Sequence, residues 1–186
     1  MTLQGILLAA GAGTRMGQPK ALVRDEGGEP WLVRGVRALR EGGCDHVTVV
    51  LGAAADEASP LLGDLGVAVV VAEDWAEGMS ASLRAGLASV ADGDASAAVV
   101  SLVDLPDVSA DVVRRVTDLG TDHGTLARAS YAGEPGHPVL IGRDHWHGVL
   151  ETATGDRGAR DYLATHMVFL VECGDLATGR DRDTPG

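Results

Sequence analysis

The chain has 186 residues, of which 45% are hydrophobic and 23% charged, and its formal net charge is −12. This size and this mixture of apolar and charged residues predict one globular domain, spanning residues 1–186, with a full hydrophobic core. Fifteen cationic against twenty-seven acidic side chains argue against the broad basic face of nucleic-acid-binding proteins, although a local cation cluster can still hold a small phosphorylated ligand.

Two further features bear on location. No apolar run approaches the length of a membrane span, and the N-terminal residues carry no basic leader pattern. Cys44 and Cys173 are far apart and form no C-x-x-C pattern, which favours two reduced thiols. We therefore expect a cytoplasmic protein with no membrane partner.

The first predicted strand runs from Ile6 to Ala10 and opens directly onto a glycine-rich loop, residues 11–20, with the sequence GAGTRMGQPK. Glycine lets backbone N–H groups turn inward and approach an anion closely, where a Cβ would interfere. Arg15 and Lys20 add positive charge to these backbone donors. The loop is therefore predicted to bind phosphates.

Two better-known phosphate loops do not fit this stretch. Gly11, Gly13 and Gly17 are spaced G-x-G-x-x-x-G, whereas the dinucleotide fingerprint is G-x-G-x-x-G. A Walker A loop needs a lysine followed by a hydroxyl residue for Mg²⁺, whereas Lys20 is followed by Ala21. Neither an NAD site nor a P-loop is predicted.

The stretch L-A-A-G-x-G-T-R-M-G-x-P-K instead resembles the signature loop of the MobA-like NTP transferases, and within them the molybdenum cofactor cytidylyltransferases. The resemblance implies an α/β nucleotidyltransferase fold, Mg²⁺ as cofactor, an NTP as substrate and a molybdopterin-type acceptor. It assigns catalytic roles to Arg15 and Lys20. It also implies nucleotide contacts along the first strand and loop, at Leu8, Ala9, Ala10, Gly11, Gly13, Thr14, Arg15 and Lys20.

The next elements alternate between helices and strands. Residues 30–40 are predicted as a helix, 46–51 as a strand, 57–62 as a short helix and 67–71 as a strand. The strands are apolar on both faces, which is typical of a parallel sheet covered by helices on either side. The predicted fold is a doubly wound, mainly parallel, Rossmann-like sheet.

Residues 73–88 contain a second glycine- and serine-bearing segment, ahead of a predicted helix. It resembles the family's G-M-S-x-S-L loop, which surrounds the nucleoside. The resemblance implies that Gly78, Ser80 and Ser82 contact the nucleotide. An ordinary helix cap is the alternative interpretation, because serine commonly precedes a helix.

The predicted strand 97–103 ends in Asp104. An acid at the carboxyl end of a central parallel strand points into the crevice where such sheets bind ligands. Asp104 resembles the D-x-P acid of the family, which implies a metal-binding and catalytic role, although a turn former before Pro106 is the alternative. Asp107 is predicted to cap the following helix, residues 109–119.

The last third is predicted to hold a strand at 125–131, a segment at 133–141 that is a loop entering another strand, and a final strand at 167–173. Two segments resemble the family's G-H-P and G-D-x-G-A-R elements, with a capped helix as the alternative for the second. The resemblance places the acceptor at Gly136, His137, Pro138, Arg157 and Arg160. The terminal D-x-D-T-P likewise implies that Asp183 is the second metal ligand.

The predicted reaction moves CMP from CTP onto the phosphate of a molybdopterin-type cofactor and releases pyrophosphate. CTP is favoured because Ala10 replaces the second glycine of the L-A-G-G turn found in GTP-using relatives. The resemblance also implies transient contacts with molybdoenzymes or their chaperones. Three alternatives stay open: a nicotine-blue-type oxidoreductase of the same family, a GTP-using guanylyltransferase, and a nucleotide-binding protein without catalysis.

Overall fold

The computed structural model describes residues 1–182 as a seven-stranded sheet with helices on both faces. The strands are β1 (Thr2–Ala9), β2 (His46–Leu51), β3 (Ala68–Val71), β4 (Ala95–Leu102), β5 (Leu126–Tyr131), β6 (Glu134–Gly142) and β7 (Phe169–Glu172). The helices are α1 (Trp31–Glu41), α2 (Ala55–Ala58), α3 (Met79–Val90), α4 (Ala110–Thr117), α5 (Trp146–Thr152) and α6 (Arg160–Ala164). No helix in this part of the chain has both the length and the apolar character needed to span a bilayer.

The strand order is β3-β2-β1-β4-β6-β5-β7. β1 pairs in parallel with β2 and β4, β2 with β3, and β5 with β7. β6 runs antiparallel to both of its neighbours, β4 and β5. The predicted α/β fold with a doubly wound, mainly parallel sheet is confirmed.

β1 is the point at which the winding of the sheet changes direction. The chain leaves β1 towards β2 and β3 on one side, and it returns to place β4 on the other side. In open sheets of this kind, ligands bind outside the carboxyl ends of the strands at such a switch point. The topology therefore brings the residues after Ala9 and Leu102 to one crevice.

Two apolar layers hold the helices on the sheet. In α1, Trp31, Leu32, Val36 and Leu39 recur at helical spacing and are almost fully buried, together with the apolar face of α4. The opposite face of the sheet packs against α3, α5 and α6. Strands between two such layers must be apolar on both sides, which explains the continuous hydrophobic runs of β1, β2 and β4.

Three local predictions differ from the structure. In the segment 133–141, predicted as a loop that enters a strand, β6 already begins at Glu134, because Glu134 and Pro135 pair with β5 across a tight turn. The short helix predicted at 57–62 is α2 followed by a 3₁₀ turn at Ser59–Leu62. Asp107 does not cap α4, because its carboxylate accepts hydrogen bonds from the backbone N–H and the hydroxyl of Thr178, both at 2.6 Å.

Candidate functional site

A cleft of about 460 Å³ opens at the carboxyl ends of β1 and β4. The glycine-rich loop forms one wall, and the start of α3 forms the other. Most of the residues predicted to bind the nucleotide meet here. The cleft is lined by Leu8, Ala9, Ala10, Gly11, Ala12, Gly13, Thr14, Arg15, Lys20, Trp75, Ala76, Gly78, Met79, Ser82, Leu102, Val103, Asp104 and Asp156.

The loop turns sharply at Gly13, which has a φ of +61°. A Cβ at this position would lie 2.0 Å from the carbonyl oxygen of Gln18, so no larger residue fits without rebuilding the loop. The turn is closed by a 2.9 Å hydrogen bond from the Met16 N–H to the Gly13 carbonyl. A short 3₁₀ turn follows at Lys20–Leu22 and carries Lys20 into the cleft.

Lys20 and Asp104 form an ion pair across the cleft floor. The Lys20 Nζ donates to Asp104 Oδ2 at 2.6 Å, and the two side chains are only 18% and 14% exposed. The other carboxylate oxygen, Asp104 Oδ1, is buried without a hydrogen-bond partner in the described structure. An unsatisfied carboxylate oxygen is costly unless a ligand completes it. Mg²⁺ prefers oxygen ligands of this kind, so Asp104 fits a metal role.

Within residues 1–182, Asp104 does not belong to a cluster of three or more metal-ligating side chains. No three His, Cys, Asp or Glu side chains converge in this part of the chain. Mg²⁺ is commonly held by one or two carboxylates together with substrate phosphates, so a single described carboxylate is compatible with it. The predicted second ligand, Asp183, lies outside the described residues. The described chain ends beside Asp104, because the Arg182 N–H donates to the Asp104 carbonyl at 3.0 Å.

The opposite wall is built around Gly78, whose φ is +112°. A Cβ on Gly78 would lie 2.3 Å from Asp156 Oδ1, and that oxygen accepts a 3.3 Å hydrogen bond from the Met79 N–H. Asp156 thus caps α3 rather than the helix that follows it in sequence. Sequence reasoning did not place Asp156 or Trp75 in the cleft, because each reaches it through tertiary packing.

The two serines predicted to contact the nucleotide have different positions. Ser82 lines the cleft and is almost fully buried. Ser80 is fully buried, and its Oγ accepts a 3.0 Å hydrogen bond from the Gly158 N–H. Ser80 therefore lies behind the cleft wall, where it joins α3 to the turn that carries Asp156.

The five residues predicted to bind the acceptor do not line this cleft, although they lie along the same edge of the sheet. β6 pairs with β4 as far as Val100 opposite Val139, so Gly136, His137 and Pro138 extend towards the cleft side of β4. Arg157 is exposed and pairs with Asp161 at 2.7 Å. Arg160 is the first residue of α6.

The end of the sheet that carries these residues is braced by Glu172. Its carboxylate accepts hydrogen bonds from the backbone N–H groups of Ala132, Gly133 and Gly174 at 2.9, 3.1 and 2.9 Å. The hydroxyl of Ser130 also donates to it, at 3.0 Å. These four bonds favour the charged form and hold the pKa of Glu172 below its ordinary value. Glu172 thereby fixes the β5–β6 turn against β7.

We expect Glu172→Gln to lower the melting temperature at pH 7, because the amide loses charge and presents one acceptor oxygen. A depressed pKa gives stability that is present above the ordinary glutamate pKa of about 4.3 and lost as the pH falls through the lower folded-state value. The melting temperatures of variant and wild type should therefore converge in acid. Calorimetry between pH 7 and pH 3 measures this, with the exposed Glu26→Gln as control. A pH-independent difference would contradict the assignment.

Comparisons with known proteins bear on the family of the chain. Residues 5–169 match the family model described as MobA-like NTP transferase domain. The chain is 35% identical over 190 residues to the nicotine blue oxidoreductase of Paenarthrobacter nicotinovorans, a match that covers 97% of this chain and 91% of the relative.

Solved structures show the same fold. Rv0371c from Mycobacterium tuberculosis H37Rv is 30% identical, with a TM-score of 0.79 over 99% of this chain and 94% of that chain. Its complex with manganese matches with a TM-score of 0.79 and 30% identity over 98% and 94% of the two chains. A nucleotidyl transferase from Methanothermobacter thermautotroptrophicus, 24% identical, has a TM-score of 0.76 over 92% of this chain and 87% of its own.

Proposed function

The chain belongs to the MobA-like NTP transferase family, and we propose that it transfers a nucleoside monophosphate from an NTP to the phosphate of a small acceptor. The observation that carries this proposal is the pairing of Lys20, the last residue of the glycine-rich loop, with Asp104, one of whose carboxylate oxygens is still unsatisfied. A loop for phosphates and a carboxylate for a metal thus share one cleft. That combination suits a metal-bound triphosphate.

In the proposed reaction, an oxygen of the acceptor phosphate attacks the α-phosphorus in line. A new P–O bond forms, and the bond to the β-phosphate breaks and releases pyrophosphate with the electron pair. A phosphate monoester is already an anionic nucleophile, so no strong general base is needed. The loop N–H groups position the triphosphate, while Arg15 and Lys20 neutralise the charge that builds on the leaving group.

The proposed metal is Mg²⁺, held by Asp104 and, in this proposal, by Asp183. When bound, it would neutralise triphosphate charge and orient the phosphates. The support from this chain is the buried, unpartnered Asp104 Oδ1. Further support is the complex of the relative Rv0371c with manganese, since divalent ions of this type share oxygen ligands.

For the base we propose CTP in preference to GTP. Ala10 is buried and lines the cleft, so its methyl group occupies space that a second glycine would leave open for a purine. We expect competition binding with Mg²⁺ to show CTP tighter than GTP by about 10- to 100-fold. Ala10→Gly should narrow that difference, whereas the cleft-remote Ala110→Gly should not. Tighter binding of GTP by the wild type would overturn the proposal.

The proposed acceptor is a molybdopterin-type phosphate, at the edge that holds Gly136, His137, Pro138 and Arg160. The support is the likeness of these elements to the family's acceptor motifs and their position beside the cleft end of β4. Such an acceptor would bring transient contacts with molybdoenzymes or their chaperones. An NTP donor also fits the cytoplasmic location that we propose.

A second candidate is oxidoreduction of the nicotine blue type, favoured by the 35% identity to the oxidoreductase of that name along nearly the whole chain. This chemistry needs a redox partner. The loop spacing G-x-G-x-x-x-G offers no dinucleotide fingerprint for a nicotinamide cofactor.

One experiment separates the candidates. The protein is incubated with Mg²⁺, each NTP in turn and a molybdopterin-type acceptor, and pyrophosphate is measured. In parallel, nicotine blue is supplied with NADH or NADPH, and its absorbance is followed. Acceptor-dependent pyrophosphate release supports the transfer. Bleaching of the dye without pyrophosphate release rejects it in favour of the second candidate, and NTP binding without either reaction indicates a non-catalytic binding protein.

A further inference from the structure

The face of the sheet that bears the nucleotide cleft continues beyond it onto β6 and β5. Leu102 of β4 lines the cleft, and the β4–β6 register pairs Val100 with Val139. Because the two strands are antiparallel, His137, two residues before Val139 on β6, lies opposite Leu102, two residues after Val100 on β4. Val139 in turn pairs with Arg128 of β5. Because side chains alternate along a strand, His137, Val139 and Arg128 share the face that α3, α5 and α6 cover.

Arg128 is a half-buried cation without a carboxylate partner in residues 1–182. Its Nε donates to the Gly136 carbonyl at 3.1 Å, which fixes the guanidinium beside β6. Arg160 likewise has no acidic partner in the described chain, whereas the neighbouring Arg157 is paired with Asp161 at 2.7 Å. Within residues 1–182, one arginine on β5 and one on the helix α6 thus lack a carboxylate partner, although the net charge of the protein is −12.

Arg160 begins α6, and Leu163 of α6 packs into the apolar layer on this same face of the sheet. The positive charge of Arg160 acts on Arg128. Burial lowers the pKa of Arg128, and the positive charge of Arg160 lowers it further. A half-buried cation next to another cation is unfavourable unless an anion offsets both charges. The fork of N–H donors on each arginine matches the oxygens of a phosphate or a carboxylate.

His137 lies on the same face of the sheet as Arg128 and adds no positive charge at pH 7. Burial, with a smaller contribution from Arg128, lowers its pKa to about 4. The imidazole is therefore neutral at pH 7 and can donate one hydrogen bond. Its backbone is held by Tyr131, whose hydroxyl donates to the His137 carbonyl at 2.7 Å.

We propose that Arg128 and Arg160 form an anion-binding subsite next to the nucleotide cleft, and that it takes a phosphate or carboxylate group of the acceptor. The assignment of the anion to the acceptor rests on the proposed function. The turn before Arg160 connects the subsite to the nucleotide cleft. Asp156 of this turn lines the cleft, and the Gly158 N–H donates a hydrogen bond to Ser80 of α3. An uncharged acceptor would leave this subsite unused.

The test uses inorganic phosphate as the probe and ¹⁵N NMR of the arginine Nε–H groups as the readout. It is run on the wild type and on Lys20→Ala, which weakens phosphate binding at the loop. Phosphate should shift the Arg128 and Arg160 signals in both proteins. Arg160→Gln should weaken this binding about tenfold, as expected for loss of a charge-assisted hydrogen bond. The control is Arg114→Gln, which removes a paired arginine on α4.

Arg128→Lys keeps the charge but loses the fork, so phosphate binding should weaken less than in Arg128→Gln. Arg160 is exposed, so Arg160→Gln tests the proposal even if the Arg128 variants fold poorly. Shifts confined to the loop 11–20, or binding that depends on Arg157 but not on Arg160, would overturn the subsite. Titration with acetate distinguishes a carboxylate ligand from a phosphate.

The same variants separate this proposal from the proposed function. Phosphate binding at Arg128 and Arg160 without any NTP turnover would retain the anion subsite and reject the transfer reaction. NTP turnover in which Arg160→Gln leaves the acceptor KM unchanged would keep the transfer reaction and reject the subsite. If both proposals hold, Arg160→Gln raises the acceptor KM while the NTP affinity stays within about twofold.

Discussion

Replacement of Lys20 by alanine is expected to reduce the rate of pyrophosphate release by about 100- to 1,000-fold, the usual cost of removing one donor that stabilises transition-state charge. Lys20 lies in the cleft, 2.6 Å from Asp104, and is one of the two cationic residues of the glycine-rich loop. Arg15→Ala should produce a loss of similar size for the same reason. Rates within about threefold of wild type would reject these roles.

The sequence offers a second, independent test of this position, because Lys20 is the chain's single lysine. Amine-selective labelling by pyridoxal phosphate and borohydride can therefore modify only Lys20 and the amino group of Met1. If the triphosphate binds at the loop, Mg²⁺ with CTP should slow labelling at Lys20 and leave labelling at Met1 unchanged. Peptide mass spectrometry measures both sites in one sample. Equal protection at both amines, or at neither, would contradict nucleotide binding at Lys20.

The parts of the site that follow from local sequence could be predicted without the structure. The positive φ of Gly13 and the position of Asp104 at a strand end depend on a few adjacent residues. Both features can therefore be inferred from the residues next to them in the sequence. The winding of the sheet could also be inferred, because apolar strands alternating with amphipathic helices leave few other packings.

Long-range contacts were not predictable in this way. Asp156 caps α3 across 77 residues of sequence, and Asp107 binds Thr178 across 71. Either aspartate could equally have capped the helix next to it, and only tertiary packing decides between these partners. The sequence does carry one signal for Arg128, since it is the single charged residue in its strand, LARASY.

The sequence determines the substrate less well than it determines the fold. A glycine-rich loop with two cations suits phosphates in general, and in our proposal one methyl group, that of Ala10, changes the relative affinity for CTP and GTP only modestly. The sequence motifs ranked cytidylyl transfer above the oxidoreductase, whereas the relative that matches 97% of this chain carries the oxidoreductase name. The function of a fold depends on its site, and we propose that the residues that discriminate between the two reactions lie at the proposed acceptor edge.

The two carboxylate oxygens of Asp104 have different surroundings. This difference allows a test of the proposed metal-binding role of Asp104 by substitution with asparagine. Oδ2 accepts from Lys20, while Oδ1 is buried and unsatisfied. Asn at this position keeps a carbonyl oxygen for Lys20 but removes the charge that a divalent cation needs. Asp104→Asn is therefore expected to fold normally and to lose at least about 100-fold in turnover.

The sharper readout for Asp104→Asn is nucleotide binding measured with and without metal. Loss of a carboxylate removes repulsion towards the triphosphate, so CTP in EDTA should bind the variant at least as tightly as it binds the wild type. The gain in affinity on adding Mg²⁺ or Mn²⁺ should disappear in the variant alone. Asp92→Asn, which removes an exposed carboxylate on the loop before β4, is the matched control. Wild-type activity that persists in excess EDTA, or a metal-dependent gain that survives in Asp104→Asn, would exclude Asp104 as the metal ligand.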